Sequence, residues 1–141
     1  MKKTLFGLFL ALTATMLMTS CKKDNAELIL GTWVNTDATY EQYTLNGETE
    51  KETYPEGQVT ITFNENGTMT ITAHDDMGNT ETFADHYIVN GDNMIWDGET
   101  FVIKQLDKKK LILELSETDT WEEDDETFTE QYIIHLDFDH K

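Results

Sequence analysis

From residue 59 to residue 138 apolar and polar side chains alternate with a period of two, and turn-forming residues break the alternation at short intervals. Val59, Ile61 and Phe63 alternate with Thr60 and Thr62, and Asn64-Glu65-Asn66-Gly67 then reverses the chain. Met69, Ile71 and Ala73 form the next row and end at the polar stretch Asp75–Asn79. Phe83, Tyr87 and Val89 share a face, followed by the tight-turn signal Asn90-Gly91-Asp92. Met94 and Trp96 lead into Asp97-Gly98, and Phe101 and Ile103 lead into Asp107-Lys108-Lys109. Leu111, Leu113 and Leu115 open a long strand that runs toward Trp121. The acidic run Glu122–Glu126 reads as a solvated hairpin tip, because like charges repel and seek water. Phe128, Tyr132, Ile134, Leu136 and Phe138 alternate along the last strand. Upstream, Asn46-Gly47 marks the tip of a more polar hairpin from Tyr40 to Tyr54, and a helical turn fits only at Glu27 to Leu30.

This pattern predicts an all-β domain of about eight or nine strands. Short turns imply antiparallel pairing in sequence order, a meander. One apolar face per strand implies a sheet curled around one core, and closing it removes exposed edges. The expected architecture is a small β-barrel, with a two-sheet β-sandwich as the alternative that periodicity does not separate from it.

The first twenty residues break the pattern. Met1-Lys2-Lys3 is a basic start, Thr4 to Leu17 an apolar run, and Met18-Thr19-Ser20 brings small residues up to Cys21, the single cysteine. That is the layout of a secretory signal peptide, preceding the domain as a helix, and the run is shorter than the ~20 residues of a membrane-spanning helix. The cysteine directly after the small residues resembles a bacterial lipoprotein lipobox. The resemblance implies cleavage before Cys21, lipid on its sulfur and new amine, and a membrane as the first partner. Lys22 resembles the residue that accompanies outer-membrane sorting. The expected location is the cell envelope, at the outer membrane. The expected division is signal peptide 1–20, lipidated tether 21–26 and domain 27–141.

Charge narrows the partners. The chain carries 28 acids, no arginine and a formal charge of −18, and cleavage would remove Lys2 and Lys3. Such an acidic chain repels nucleic acid, whose binding rests on neutralised phosphates. It also repels anionic head groups, which leaves the lipid as the membrane hold. The acidity serves solubility, and it also suits a basic protein partner.

Gly31-Thr32-Trp33, then Thr60-Ile61-Thr62-Phe63-Asn64-Glu65-Asn66-Gly67-Thr68, Tyr87-Ile88-Val89-Asn90-Gly91-Asp92-Asn93-Met94 and Leu111-Ile112-Leu113, in this order, resemble the small lipocalin-like domains of bacterial lipoproteins. The resemblance spans about residues 27–138. It implies a lipocalin-like barrel with an apolar pocket, and it makes Gly31 and Trp33 a structural motif at the closed end. In many lipocalins a late arginine packs over that tryptophan. Here that lock must be replaced, with Lys104 or Lys110 as the residues that could cover the ring, or lost.

Catalytic chemistry finds little support. Ser116 is the one serine after Cys21, no Gly-x-Ser-x-Gly turn exists, and Cys21 would be blocked by lipid. His74, His86, His135 and His140 lack the spacing of zinc motifs, so no metal and no cofactor is expected. Asp85 shares parity with Phe83 and Tyr87, which points it inward unless a bulge or edge turns it to water. The strongest candidates are Phe63, Tyr87, Trp96, Phe101 and Tyr132, which would share the inner face of the barrel. They would either fill the core or hold a small apolar or planar guest, neutral or cationic. The expected function is non-catalytic ligand binding by a lipid-anchored protein. The alternative is a structural or interaction lipoprotein with a filled core whose acidic face binds a protein partner.

Overall fold

A computed structural model describes residues 24–141, so the signal segment, Cys21 and Lys22 lie outside the described residues. A short helix, α1 (Asn25–Leu28), precedes ten strands. These are β1 (Gly31–Asn35), β2 (Tyr40–Leu45), β3 (Glu48–Thr53), β4 (Val59–Phe63) and β5 (Thr68–His74), then β6 (Thr80–Asn90), β7 (Asn93–Trp96), β8 (Glu99–Leu106), β9 (Lys110–Glu123) and β10 (Glu126–His140). The Asp24 carboxylate caps α1 by accepting from Glu27 N at 3.0 Å. The Asn25 amide donates to Gly91 O at 2.8 Å and Asp92 Oδ1 at 3.1 Å, in the turn after β6. Asn25 and Ala26, read from the sequence as tether, thus sit in a helix tied to the barrel.

Strands β4 to β10 form an antiparallel meander. Strand β1 pairs with β4 on one side and with β10 on the other, so eight strands close into a barrel. That closure selects the barrel over the sandwich. Sequence-order pairing fails at one place: β2 and β3 leave the barrel as a hairpin, and β2 pairs with β10 through Glu130–His135. The reason is composition. Strand β3 (Glu-Thr-Glu-Lys-Glu-Thr) has no apolar side chain to bury, and all six of its residues are exposed. Strand β10 serves both partners by being long, pairing with β2 at Glu130–His135 and with β1 at Phe138–His140. The β2–β3 hairpin and the adjoining ends of β9 and β10 form a four-stranded extension beside the barrel.

The inward rows match the period-two reading. Trp33, Ile61, Phe63, Met69, Ile71, Met94, Leu111, Leu113 and Phe138 are buried to 3 % exposure or less. A register shift between Ile103 and Gln105 lets Leu106, rather than Gln105, pack on the core. Two-residue tips close the hairpins at Asn46-Gly47 (φ 49° and 85°) and Asp97-Gly98 (φ 51° and 77°), the left-handed pairs that match strand twist.

The α1 end of the barrel is plugged. Trp33 is fully buried and its indole N–H donates to Ile29 O at 2.7 Å. The His140 ring meets the Trp33 ring edge-on, centroids 4.7 Å apart at 84°. Gly31 makes room for that contact: its φ is +115°, and a Cβ there would lie 2.8 Å from His140 Nε2. The lock is replaced, by His140 and by neither Lys104 nor Lys110. Lys104 lies out by Glu114 (4.0 Å), and Lys110 is held by Asp137 and Asp139 at 2.7 and 2.8 Å. Each lysine finds a carboxylate, the stronger partner for an ammonium than a ring edge.

Candidate binding site at the far end of the barrel

Away from α1 the strands differ in height. Pairing of β6 with β7 begins at Tyr87–Trp96, leaving Thr80–His86 of β6 rising beyond it. Pairing of β8 with β9 ends at Val102–Glu114, leaving Ser116–Glu123 of β9 rising likewise. The inward rows therefore continue past the filled core and come out into solvent.

Four of the five predicted binding residues share the barrel interior. Phe63 (2 % exposed), Phe101 (4 %) and Tyr87 (9 %) are packed into the core, with Trp96 partly buried against it. Phe63 and Tyr87 meet edge-on at 4.9 Å, and the Tyr87 hydroxyl donates to Asn64 O at 2.8 Å. Burial raises the Tyr87 phenol above its ordinary pKa. Trp96 stacks on Phe101 at 5.7 Å, and its indole N–H donates to Asp85 Oδ2 at 3.0 Å. Asp85 also accepts from His86 N at 2.7 Å. It is half-buried, neither sunk in the core nor turned wholly to water. Phe83, one step further along the same row, is 49 % exposed because β6 has outrun β7. Trp96, Asp85 and Phe83 thus form an accessible ring-and-carboxylate rim above a packed core.

Tyr132 does not join them. It stands on the extension, where its hydroxyl donates to Glu41 Oε2 at 2.9 Å while Tyr54 donates to Glu41 Oε1 at 2.8 Å. Sequence reasoning missed Glu41, Tyr43 and Tyr54. Their approach to Tyr132 depends on register across a separation of 91 residues, as in the Tyr132–Glu41 bond, which no local pattern carries. Two recesses border this region. One of about 530 Å³ is lined by Glu117, Thr118, Asp119, Glu130 and Tyr132. The other, about 290 Å³, is lined by Glu41, Gln42, Tyr43, Glu50, Lys51, Glu52 and Tyr132.

The histidines are dispersed. His135 stacks on Tyr40 at 4.9 Å and its Nδ1 lies 3.2 Å from Glu114, while His74 Nδ1 lies 2.9 Å from the Thr80 hydroxyl. Among the described residues no three His, Cys, Asp or Glu side chains converge as a metal site would require.

The tyrosine–carboxylate contacts give a pH prediction. Burial, then the bond to Glu41, pushes Tyr132 up to about 12; the same two causes raise Tyr54 further. A free phenol ionises near pH ~10. The folded chain therefore keeps protons that the unfolded chain has lost. This stabilisation is complete below pH ~10 and is lost as pH rises through the folded values. In an alkaline titration most tyrosinate absorbance should appear together with loss of the β-sheet circular dichroism signal. Tyrosinate absorbance that saturates near pH ~10 while the sheet persists would contradict it.

No protein-family model and no curated protein matches the sequence. Two solved structures resemble the fold. A lipocalin-like protein from Bacteroides uniformis is 18% identical, the match covering 74% of this chain and 96% of that one, with a TM-score of 0.41. An uncharacterized protein from Bacteroides eggerthii is 14% identical, covering 79% of this chain and 98% of that one, with a TM-score of 0.42.

Proposed function

We propose that this protein is a non-catalytic binding protein, held at the outer membrane by lipid on Cys21, that takes a small planar guest at the far rim of its barrel. The observation that carries the reading is Trp96: a half-buried indole, fixed by Asp85 and backed by Phe101, at the place where the filled core opens to solvent. Deeper rings are packed against one another, so the guest sits on the core instead of within it. An exposed Phe83 beside the Asp85 carboxylate favours a guest with a flat apolar body, neutral or positively charged.

Native mass spectrometry of the detergent-extracted mature protein, alone and titrated with the planar cationic dye proflavine, tests this. A bound species is expected for the wild type, with roughly tenfold weaker dye binding in Trp96→Ala or Asp85→Asn, as loss of one aromatic or charged contact implies. Equal dye binding by all three proteins, with no co-purifying mass, would defeat the reading. The anchor has its own check: Cys21→Ser should accumulate as unprocessed precursor, and normal processing of that variant would exclude lipid attachment.

A further inference from the structure

We infer that the barrel-side face of the four-stranded extension is a docking surface for an extended basic segment of a partner protein. The inference goes beyond the rim site and stands without it.

The register builds this face row by row. Leu115, Ile134, Glu41 and Glu52 lie abreast across β9, β10, β2 and β3. The next row is Glu117, Tyr132, Tyr43 and Glu50, and the one after it Asp119, Glu130, Leu45 and Glu48. Trp121 and Phe128 close the face as a stacked cross-strand pair, rings 5.6 Å apart at 13°. The face continues the inward parity of Leu111, Leu113 and Leu115, yet β3 and the Ser116–Glu123 part of β9 are exposed along their whole length. Leu115 and Ile134 of the first row pack on the barrel core and Tyr54 reaches Glu41, and the rows beyond them form a mixed ring-and-carboxylate face bordered by the two recesses.

Its charge names the occupant. Each of the three four-residue rows holds two or three carboxylates or a pair of carboxylates flanking two tyrosine rings, and none holds a lysine. Lys51 has the opposite parity on β3, with its amine 3.8 Å over the Tyr40 ring, and it borders the smaller recess as the one cation there. Directly opposed like charges such as Asp119 and Glu130 destabilise a sheet. Solvation accounts for an acidic surface but not for tyrosine, tryptophan and phenylalanine rings set among the acids. Rings and carboxylates together match guanidinium and ammonium groups, through ring faces and charge.

Other occupants fit less well. A second copy of this chain, with a formal charge of −18, would meet like charge. Nucleic acid and anionic lipid fail for the same reason. A metal ion needs ligands converging on one point, and no group of three is present among the described residues. The carboxylates are instead spread over successive rows. Rows on one strand face recur every ~6.8 Å, which is also the spacing of same-side residues in an extended peptide.

The test is a titration of the mature full-length chain in uncharged detergent with a peptide of alternating arginine and threonine. Spermidine and the peptide's glutamate–threonine counterpart serve as probes of the other chemistries. The arginine peptide should bind at low salt, weaken steeply as salt rises, and bind roughly tenfold less well to Tyr43→Ala/Tyr132→Ala. Glu50→Gln/Glu117→Gln should weaken it far more than Glu56→Gln/Glu65→Gln, which removes the same charge elsewhere. Equal losses from those two charge pairs would reduce the effect to net charge and overturn the proposal. Spermidine binding as tightly as the peptide would overturn it in favour of a small amine. Because Tyr132 touches Glu41, each variant's circular dichroism is compared with wild type. Tyr43→Ala alone, which leaves the Tyr132–Glu41 and Tyr54–Glu41 bonds in place, must retain a measurable loss of binding or the proposal fails. Trp96→Ala should leave peptide binding intact, which separates failure here from failure at the rim.

Discussion

Replacing Trp33 with alanine should cost about 3–5 kcal/mol of folding stability, the range for deleting a fully buried large aromatic ring. The size follows from three features at one point. The ring is entirely buried, its N–H has a buried acceptor at Ile29 O 2.7 Å away, and it plugs the barrel end under α1. Alanine would leave a cavity that rigid strands on all sides cannot close, and would orphan the Ile29 carbonyl. The same experiment ranks the neighbours. His140→Ala removes one edge-on contact and should cost about 1 kcal/mol, in line with aromatic pairs. Trp121→Ala, at a ring 36 % exposed on the extension, should cost less than Trp33→Ala by several fold. Urea unfolding followed by circular dichroism gives all three from the shift in midpoint at unchanged slope. A Trp33→Ala loss no larger than that of Trp121→Ala would mean that the ring does not plug the barrel.

Most of the barrel was readable in the sequence because a strand's inner row is a local property. Val59, Ile61 and Phe63 need only their own alternation to be assigned to the core, and two of the three are buried to 2 % or less. The hairpin turns were readable for a similar reason: Asn-Gly and Asp-Gly tolerate the left-handed backbone that a two-residue tip demands. What failed was non-local. The pairing of β10 with β2 instead of leaving β2 beside β1 depends on where a polar hairpin finds a free edge, and no residue of Tyr40–Tyr54 announces it. Tyr132 therefore reads as interior on correct parity: its row does face inward, but the strand has already left the barrel. Phe83 departs in the same way, inward by parity and exposed by height. His140 over Trp33 has no local signal, because an imidazole edge fills the gap that Gly31 leaves across the barrel end. The candidate site was readable at Trp96 and Asp85, two residues of one hairpin, and unreadable at Glu41, Tyr43 and Tyr54.

The second large effect is expected at the branch point where β10 changes partners. Pairing with β2 ends at His135 and pairing with β1 begins at Phe138, and Asp137 stands between them, 7 % exposed. Its Oδ1 accepts from Lys110 Nζ at 2.7 Å and from the Thr36 hydroxyl at 2.7 Å. Its backbone holds the same crossing loop: Asp137 N donates to Thr39 Oγ1 and Asp137 O accepts from Thr39 Oγ1, both at 3.0 Å, while Thr36 N donates to Asp137 O at 2.8 Å. This knot ties the β1–β2 loop to the barrel and so sets how the extension leaves it. Lys110→Met keeps the apolar stem and removes the cation, stranding a carboxylate that water barely reaches. Stranding a fully buried charge costs about 3–5 kcal/mol, and the 30 % exposure of the Lys110 side chain lowers the expectation to about 2–3 kcal/mol. The bonds to Asp137 and Asp139 raise the Lys110 pKa above its ordinary 10.5. That contribution is therefore complete below the ordinary value and is lost as pH rises through the folded one, so the difference between wild type and variant should narrow in alkali. Urea midpoints across pH, with Asp137→Leu and the double variant completing a cycle, measure the coupling directly. The double variant should be more stable than Lys110→Met alone, since it carries no stranded charge. A flat pH profile, or a coupling below about 0.5 kcal/mol, would show that the crossing loop is held by Thr36 and Thr39 without the ion pair.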